Sequence, residues 1–452
     1  MFKDKNVAIL GFGLEGKDLL SFLLKEGAKI TVFDKKEEDK LDLEGIPLSK
    51  ITLVLGRNYL KEGLTGFDMV FRSPGVYRYL PQIVAAEKKG VKISSAIKLF
   101  FELCPSQIIG VTGTKGKGTT ASLIYEILKA AGKDVYFAGN IGKPYLELLG
   151  KLKKKSIVVL ELSSFQLIDM EASPHIAVVL NITQDHLDWH KDLKEYVDAK
   201  ENIVKFQKRD DFSIINSDYD ISKNFAKETK GKVIFFSRKE PVNGCFSLGE
   251  DILLSTQEGN VVLGKIHWLL LRGEHNLENV SAAVSAVIPF KLDEEVIKKA
   301  IFSFKGLEHR LELVGRVGGV TFYNDSFATS PSPAIAAINS FKEPITIILG
   351  GSEKNLDYKE FGEVISKKRN VTTAILIGKV AEKIKKALQD ANFKGKILEL
   401  DKSSMEKIVS QAFAATPKGG VVLLSPAAAS FDMFKDYKER GNKFKEAVLA
   451  LK

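Results

Sequence analysis

A chain of 452 residues is too long for one hydrophobic core, and typical domain sizes of roughly 100–200 residues indicate two to four domains, of which we expect three. With 44% hydrophobic and 27% charged residues, the composition excludes a disordered chain, and no apolar run approaches the roughly 20 residues that span a bilayer. The net charge of +10 comes from lysines in short, scattered clusters, which favours a solvated surface over a nucleic-acid groove. The opening residues are typical of a strand, a glycine loop and a helix rather than a signal peptide, so we expect a cytoplasmic protein without membrane insertion.

The first hundred residues alternate strand and helix patterns, which predicts an open parallel sheet. We expect strand segments at NVAIL, KITVFD, ITLVLG, DMVFRSPGV and VKIS, and helices from about Gly16 to Lys25 and from about Pro81 to Lys89. The first turn, GFGLEG, is a complete G-x-G-x-x-G, and Asp34 ends the next strand where a ribose-binding acid would stand. This unit is therefore predicted to bind a nucleotide.

Residues 107–120, QIIGVTGTKGKGTT, form an apolar strand pattern followed by a Gly/Thr/Lys loop and a helix pattern. Backbone amides of such a loop can cradle a polyphosphate, and Lys117 adds a cation. The standard phosphate-loop motif has a glycine where Val111 stands and a hydroxyl where Gly118 stands, so Thr119 is the expected metal-facing hydroxyl. The alternative is an ordinary glycine-rich turn between a strand and a helix.

Two further apolar strand patterns, SIVVLE and HIAVVL, end in polar residues, and ligands gather at the carboxyl ends of parallel strands. Glu161 could hold magnesium against phosphates there, or it could face solvent. Asn181 and His186 follow the second strand; His186 could be a ligand or a structural histidine, and His190 is left open. Lys200, taken alone, has the pattern of a surface lysine.

From about residue 305 the chain predicts another doubly wound sheet of roughly 150 residues. The connector EHR places Arg310 where it could reach a transferring phosphoryl group when domains close, or form a hinge salt bridge. Asp325 ends the following strand, in a position suited to ribose or acceptor contacts.

These motifs occur in the chain order GTKGKGTT, Glu161, NITQDHLDWH, YVDAK, GEHN, EHR and NDSFATSP. In order and approximate spacing they resemble the Mur ligase superfamily, the ATP-dependent amide-bond-forming enzymes of peptidoglycan synthesis. The resemblance implies an α/β protein with a Rossmann-like UDP-substrate-binding domain (1–102), a P-loop ATPase-like ATP-binding domain (103–304) and a Rossmann-like amino-acid-binding domain (305–452). The GFGLEG turn, the SPGV turn and the LSPA…SFD…RG tail resemble the D-glutamate-adding branch, which implies UDP-N-acetylmuramoyl-L-alanine and D-glutamate as substrates of a monomeric enzyme.

The resemblance also implies functional residues. For ATP they are Gly113, Thr114, Lys115, Gly116, Lys117, Gly118, Thr119, Thr120, Asn276, Arg310 and Asp325. For the UDP substrate they are Leu14, Glu15, Asp34, Lys35, Lys36, Gly75, Asn140 and His186, and for the amino acid they are Thr329, Lys354, Ser430, Phe431 and Tyr437. Thr119 and Glu161 would hold one Mg²⁺, and His186 with a carbamylated Lys200 a second. Lys117, His186, Lys200 and Arg310 are the implied catalytic residues.

The implied mechanism has two steps: the substrate carboxylate attacks the γ-phosphate of ATP, and the amine of D-glutamate then attacks the resulting acyl phosphate. Two departures keep alternatives open. Lys115 replaces the Asn common in the family, and Gly118 is similar to folylpolyglutamate synthases. A ligase that adds L-alanine or extends folate with glutamate is therefore the first alternative, and a nucleic-acid-stimulated ATPase is the second.

Overall fold

The computed structural model describes residues 1–139, 145–400 and 403–451 and confirms the α/β class with mainly parallel sheets. The chain forms two compact units: Met1–Gly264 with Glu278–Ala300, and Lys265–Leu277 with Ile301–Lys452. Each predicted domain holds one of the parallel sheets, and the boundaries at 102 and 304 stay a prediction. None of the described helices is both long and apolar enough to cross a membrane.

The N-terminal sheet has the parallel strand order β3-β2-β1-β4-β5. Its strands are β1 (Asn6–Leu10), β2 (Lys29–Asp34), β3 (Ile51–Leu55), β4 (Met69–Arg72) and β5 (Lys92–Ser94), with helices α1 (Leu14–Lys25), α2 (Pro81–Lys88) and α3 (Ala96–Leu103). Residues 7–10 of β1 are fully buried, as expected for a central strand that is covered on both faces. The predicted helices and strands of this unit are confirmed to within about two residues at most ends.

The central sheet has the parallel order β11-β10-β9-β6-β8-β7. Its strands are β6 (Gln107–Thr112), β7 (Val135–Gly139), β8 (Ile157–Glu161), β9 (Ile176–Val179), β10 (Phe212–Asn216) and β11 (Lys232–Phe236). A small sheet of β12 (Cys245–Leu248), β13 (Asp251–Thr256) and β14 (Gly259–Lys265) follows. The helices here are α4 (Lys117–Ala130), α5 (Ser164–Leu167), α6 (Leu193–Lys205), α7 (Asp220–Asn224), α8 (Glu274–Val287) and α9 (Glu294–Ser303).

The C-terminal sheet has the order β15-β16-β20-β17-β18-β19, in which β15 is antiparallel to β16 and the other pairs are parallel. Its strands are β15 (Glu312–Val317), β16 (Val320–Asn324), β17 (Ile345–Gly350), β18 (Val371–Ile377), β19 (Lys396–Glu399) and β20 (Val421–Leu424). The helices are α10 (Pro331–Asn339), α11 (Lys359–Lys367), α12 (Ala381–Asp390), α13 (Met405–Ala415) and α14 (Tyr437–Leu449). The predicted doubly wound sheet is thus present, with an antiparallel strand at one edge.

Candidate active site

The glycine loop joins β6 to the N-terminus of α4, and its backbone geometry explains the glycines. Gly116, which caps α4, has a φ of +87°, a left-handed conformation that glycine adopts without strain. A Cβ at Gly116 would collide with Asn279 Oδ1, and a Cβ at Gly113 would lie 2.7 Å from Leu180 Cβ. The loop therefore keeps its backbone amides close to the carboxyl end of the sheet, where a helix N-terminus favours anions.

Two lysines meet at the carbonyl oxygen of Gly113. Lys117 Nζ donates to Gly113 O and Thr114 O, both at 3.1 Å, and Lys200 Nζ donates to Gly113 O at 2.9 Å. Lys200 is only 2% exposed and also reaches Thr112 Oγ1 at 3.4 Å. Burial and the neighbouring Lys117 charge lower the pKa of Lys200 well below its usual range. The surface-lysine interpretation of Lys200 was therefore wrong.

Glu161 ends β8 and pairs across the sheet with Val111 of β6, so it lies beside the start of the glycine loop. It is 6% exposed, which makes the solvent-facing interpretation wrong. Its Oε2 atom and Asn181 Oδ1 are buried and have no hydrogen-bond partner among the described residues. Unpartnered oxygens at one sheet edge suit a hard cation such as Mg²⁺.

No group of three or more His, Cys, Asp or Glu side chains in the described parts of the chain is placed to hold a metal ion. A magnesium site here would therefore complete its coordination with waters and substrate phosphates, as Mg²⁺ sites commonly do. Thr119 is half-buried in the first turn of α4, whereas Thr120 is fully buried and donates to Asn279 Oδ1 at 3.2 Å. The donor set thus fits magnesium, and the choice of Thr119 as its hydroxyl stays a prediction.

Asn279 is a site residue that the sequence reasoning missed. It lies on α8, contacts Thr120 of α4, and stands where a side chain at Gly116 would collide. Because 159 residues separate it from Thr120, no local pattern links the two. The sequence signal that could have pointed to Asn279 is its position three residues after the GEHN motif.

The loop after β9 carries its two histidines in different environments. His186 has a left-handed φ of +52°, is 47% exposed in its side chain, and lies 3.7 Å from Asp185. His190 is 2% exposed and shares hydrogen bonds with Ser164 Oγ at 2.9 Å and Glu195 Oε2 at 3.3 Å. Burial lowers the pKa of His190, and each of its ring nitrogens already lies within hydrogen-bond distance of a side chain.

The segment around Lys200 is tied to the glycine loop through Tyr196. Tyr196 is on the same helix, α6, and its hydroxyl lies 2.9 Å from Thr114 Oγ1, which donates to Thr183 O. Lys200 Nζ lies 4.8 Å from the centre of the Tyr196 ring. Hydrogen bonds and ring contacts thus connect three elements of the first unit: the glycine loop, the loop after β9 that carries His186 and His190, and α6.

The residues implied for the UDP substrate lie around the first turn and its neighbours. Asp34 is buried and accepts from Phe12 N at 2.7 Å and Lys36 N at 2.9 Å, so both carboxylate oxygens already bind backbone. Glu15 accepts from Gln166 Nε2 at 2.7 Å, and burial raises its pKa. Leu14, Lys35, Lys36 and Gly75 are exposed, whereas Asn140 lies outside the described residues.

In the second unit, Arg310 stacks 3.9 Å over the Phe327 ring, between two residues of positive φ, His309 and Leu311. Asp325 accepts from Leu311 N at 3.1 Å and Ser425 Oγ at 2.7 Å, and burial raises its pKa to about 7. Asn276 is buried and donates to Arg272 O at 2.6 Å.

The residues implied for the amino acid lie at the carboxyl edge of the C-terminal sheet. Lys354 is exposed in the loop after β17, Phe431 is 68% exposed, and Ser430 is 2% exposed after β20. The Tyr437 ring contacts Phe327 with their centres 5.0 Å apart, and Thr329 follows in the same loop as Phe327. Each of these placements leaves the ligand assignment a prediction.

Sequence profiles of three domains match this chain in the predicted order. The Mur ligase MurD-like N-terminal domain matches residues 5–95, the Mur ligase middle domain 111–287, and the Mur ligase glutamate ligase domain 309–428. The chain belongs to the Mur ligase family. This Mur ligase is 45% identical to a protein of Acetivibrio thermocellus named UDP-N-acetylmuramoylalanine–D-glutamate ligase, over 99% of this chain and 96% of that protein. A protein of the same name from Ruminiclostridium cellulolyticum is 39% identical over 100% of this chain and 97% of its own.

Solved structures of Mur ligases share the fold of this chain. The crystal structure of UDP-N-acetylmuramate-alanine ligase MurC from Thermotoga maritima has a TM-score of 0.62 at 17% identity, covering 99% of this chain and 100% of that chain. A structure of MurF from Acinetobacter baumannii has a TM-score of 0.60 at 16% identity, with coverage of 98% and 94%. At such low identity these likenesses show the fold alone.

Proposed function

We propose that this Mur ligase joins D-glutamate to UDP-N-acetylmuramoyl-L-alanine, with hydrolysis of ATP to ADP and phosphate. The observation that carries the proposal is the 45% identity, along nearly the whole of both chains, to a protein named for this activity. The Lys117, Glu161 and Lys200 cluster supports the phosphoryl-transfer half of the reaction. The enzyme would be a monomer, and its product would be a precursor in cytoplasmic peptidoglycan synthesis.

The residues of the first unit match the charge that the first step develops. The substrate carboxylate attacks the γ-phosphorus of ATP, the bond to ADP breaks, and an acyl phosphate forms. Negative charge collects on the transferred group, and Lys117 with the amides at the N-terminus of α4 would neutralise it. The amine of D-glutamate then attacks the acyl carbon, loses a proton and displaces phosphate. We also propose Arg310 as a catalytic residue that would neutralise charge on the transferred group.

Magnesium would be held by Glu161 and Thr119, and the unpartnered oxygens of Glu161 and Asn181 support that donor set. When bound, the ion supplies positive charge to the phosphate oxygens. For the second ion we propose His186 and a carbamylated Lys200. The neutral Nζ of Lys200 would bond to the carbon of CO₂ and release one proton, which leaves a carbamate with a single negative charge.

A panel of amino acids tests the proposed activity. The protein is incubated with ATP, Mg²⁺ and UDP-N-acetylmuramoyl-L-alanine or UDP-N-acetylmuramic acid, together with D-glutamate, L-glutamate or L-alanine, and phosphate and the amide product are measured. We expect product only with D-glutamate and UDP-N-acetylmuramoyl-L-alanine, and its loss in Lys117→Ala. Product with L-alanine instead would refute the choice of substrate. A folate substrate with L-glutamate covers the folylpolyglutamate alternative, and DNA-stimulated hydrolysis would favour the ATPase alternative.

A further inference from the structure

Arg440 of α14 is a fully buried cation, with 0% exposure, and the resemblance implies no ligand contact for it. Nε donates to Ser326 Oγ at 2.9 Å and Nη2 to Ser326 O at 2.8 Å. Nη1 donates to the carbonyl oxygens of Ala428 at 3.1 Å and Ala429 at 3.3 Å. All these partners are neutral oxygens, and although burial lowers the pKa of Arg440 to about 10, the side chain stays charged at neutral pH.

These hydrogen bonds join the segments that surround the predicted amino-acid site. Ser326 Oγ, which accepts from Arg440, donates to Tyr437 O at 2.7 Å. Ala429 O also accepts from Ser352 N at 2.8 Å, in the loop after β17. One guanidinium therefore connects the loops after β16, β17 and β20 with the start of α14. Those segments carry every residue implied for the amino acid: Thr329, Lys354, Ser430, Phe431 and Tyr437.

Arg440 also fixes the direction of backbone donors. In a planar trans peptide, the N–H points opposite to the C=O of the same unit. Because Ala429 O faces Arg440, the Ser430 N–H of that unit points away from it. The Ser326 unit behaves in this way, since its carbonyl faces Arg440 and the Phe327 N–H donates on the other side to His309 O at 3.0 Å.

We propose that Arg440 is a positioning residue for the amino-acid acceptor. It fixes the Ser430 and Thr329 segments and adds a buried positive charge behind them. Among the described residues no carboxylate contacts Arg440 directly, although Asp432 and Asp325 attract it at longer range. Burying a cation is costly, and an acceptor with two carboxylates would add to that long-range attraction. This inference rests on the proposed function, because the acceptor is taken to be D-glutamate.

Arg440→Lys tests the inference, because an ammonium keeps the charge but cannot reproduce the planar fork that reaches Ser326 and both carbonyls. We expect the KM for D-glutamate to rise about tenfold or more, with a smaller fall in kcat. The KM values for ATP and for the UDP substrate should stay within about twofold. Lys443→Met, at an exposed basic position of the same helix, is the matched control and should leave the KM for D-glutamate unchanged.

Chemical rescue separates positioning from loss of folding. In Arg440→Ala, guanidinium chloride at low millimolar concentration should lower the KM for D-glutamate, whereas the same concentration of sodium chloride should not. If Arg440→Ala does not fold, Ser326→Ala tests the same connection and should raise that KM to a smaller extent.

Two outcomes would overturn the inference: an unchanged KM for D-glutamate in folded Arg440→Lys, or an equal rise in all three KM values. A wild-type protein that uses another amino acid would refute the proposed function instead. The same KM comparison, made with that amino acid, would then still test Arg440.

Discussion

Lys200 holds its amine inside the first unit, 2.9 Å from Gly113 O and within the electrostatic range of Lys117, Asp185 and Glu161. Loss of hydration and the Lys117 charge both disfavour the ammonium form, while the two carboxylates partly oppose them. Both effects favour the neutral amine of Lys200, and the amine is the form that reacts with CO₂. The buried position thus supplies the chemical precondition for the proposed carbamate.

Lys200→Ala should lower the ligase activity about a hundredfold or more, because it removes the proposed carboxylate ligand. Formate or acetate should restore part of that activity by placing a carboxylate in the vacated space, and chloride should not. Lys205→Ala, in the exposed last turn of the same helix, is the control. Full activity of Lys200→Ala without added carboxylate would contradict the role. With ¹³C-bicarbonate, a carbamate signal should be seen by NMR in the wild type and be missing from the variant.

At the scale of elements, α4 separates the roles of two adjacent threonines. Successive residues of a helix are turned by about 100°, so Thr119 and Thr120 cannot face the same side. Thr120 is fully buried and donates to Asn279 Oδ1, whereas Thr119 is half-buried. In α4, Thr120 therefore binds Asn279 of α8, and Thr119 is left for a ligand.

Thr119→Val should raise the Mg²⁺ concentration needed for half-maximal activity and leave the free energy of unfolding nearly unchanged. Thr120→Val should lower the free energy of unfolding by about 1–2 kcal/mol, because it leaves Asn279 without that hydroxyl. Valine keeps the shape of threonine, so each variant serves as the other's control. Magnesium titrations and urea unfolding would check both predictions. An unchanged magnesium requirement in Thr119→Val would show that the Thr119 hydroxyl does not bind the ion.

The elements also show what the sequence could predict and what it could not. Alternating apolar strands and helices, with glycines at the turns, predicted the sheets and placed the loop at 113–116. The local sequence pattern could not predict the burial of Lys200. The segment YVDAKENIVK has the pattern of an amphipathic helix with lysines, and tertiary packing decides which of its faces is covered. Asn279 contacts Thr120, and Arg440 contacts Ser326, across more than a hundred residues of sequence, so periodicity carries no signal for these contacts.

Within the first unit, the N-terminal and central sheets are joined by buried and partly buried polar contacts. Arg72, fully buried in its side chain, pairs with Asp169 at 3.1 Å and donates to Phe165 O at 2.9 Å. Tyr77 donates to Glu195 at 2.8 Å, on the helix that carries Lys200. Removing one partner of such a buried network leaves the other uncompensated, so these contacts favour a single arrangement of the two sheets.

Asp18 of α1 gives this junction a pH dependence. It accepts from Leu146 N at 2.9 Å and Glu147 N at 3.2 Å in the central domain, and burial raises its pKa to about 6 from an ordinary value near 3.8. Below the ordinary value the carboxyl is protonated in both the folded and the unfolded chain, and above about 6 it is ionised in both. Between these values the folded chain holds a proton that the unfolded chain releases, so stability falls as the pH rises through this window.

Asp18→Asn removes that titration, so the free energy of unfolding of the variant should increase relative to that of the wild type as the pH rises. From pH 5 to pH 8 the difference in free energy of unfolding should shift in favour of the variant by about 1 kcal/mol. A constant offset from the lost carboxylate hydrogen bonds does not affect this shift, because it is present at both pH values. Urea unfolding at the two pH values measures it, with Asp210→Asn at an exposed turn as the control. A difference that stays constant with pH would show that Asp18 is ionised throughout, and the junction would then owe its stability to the two amide hydrogen bonds without a protonation step.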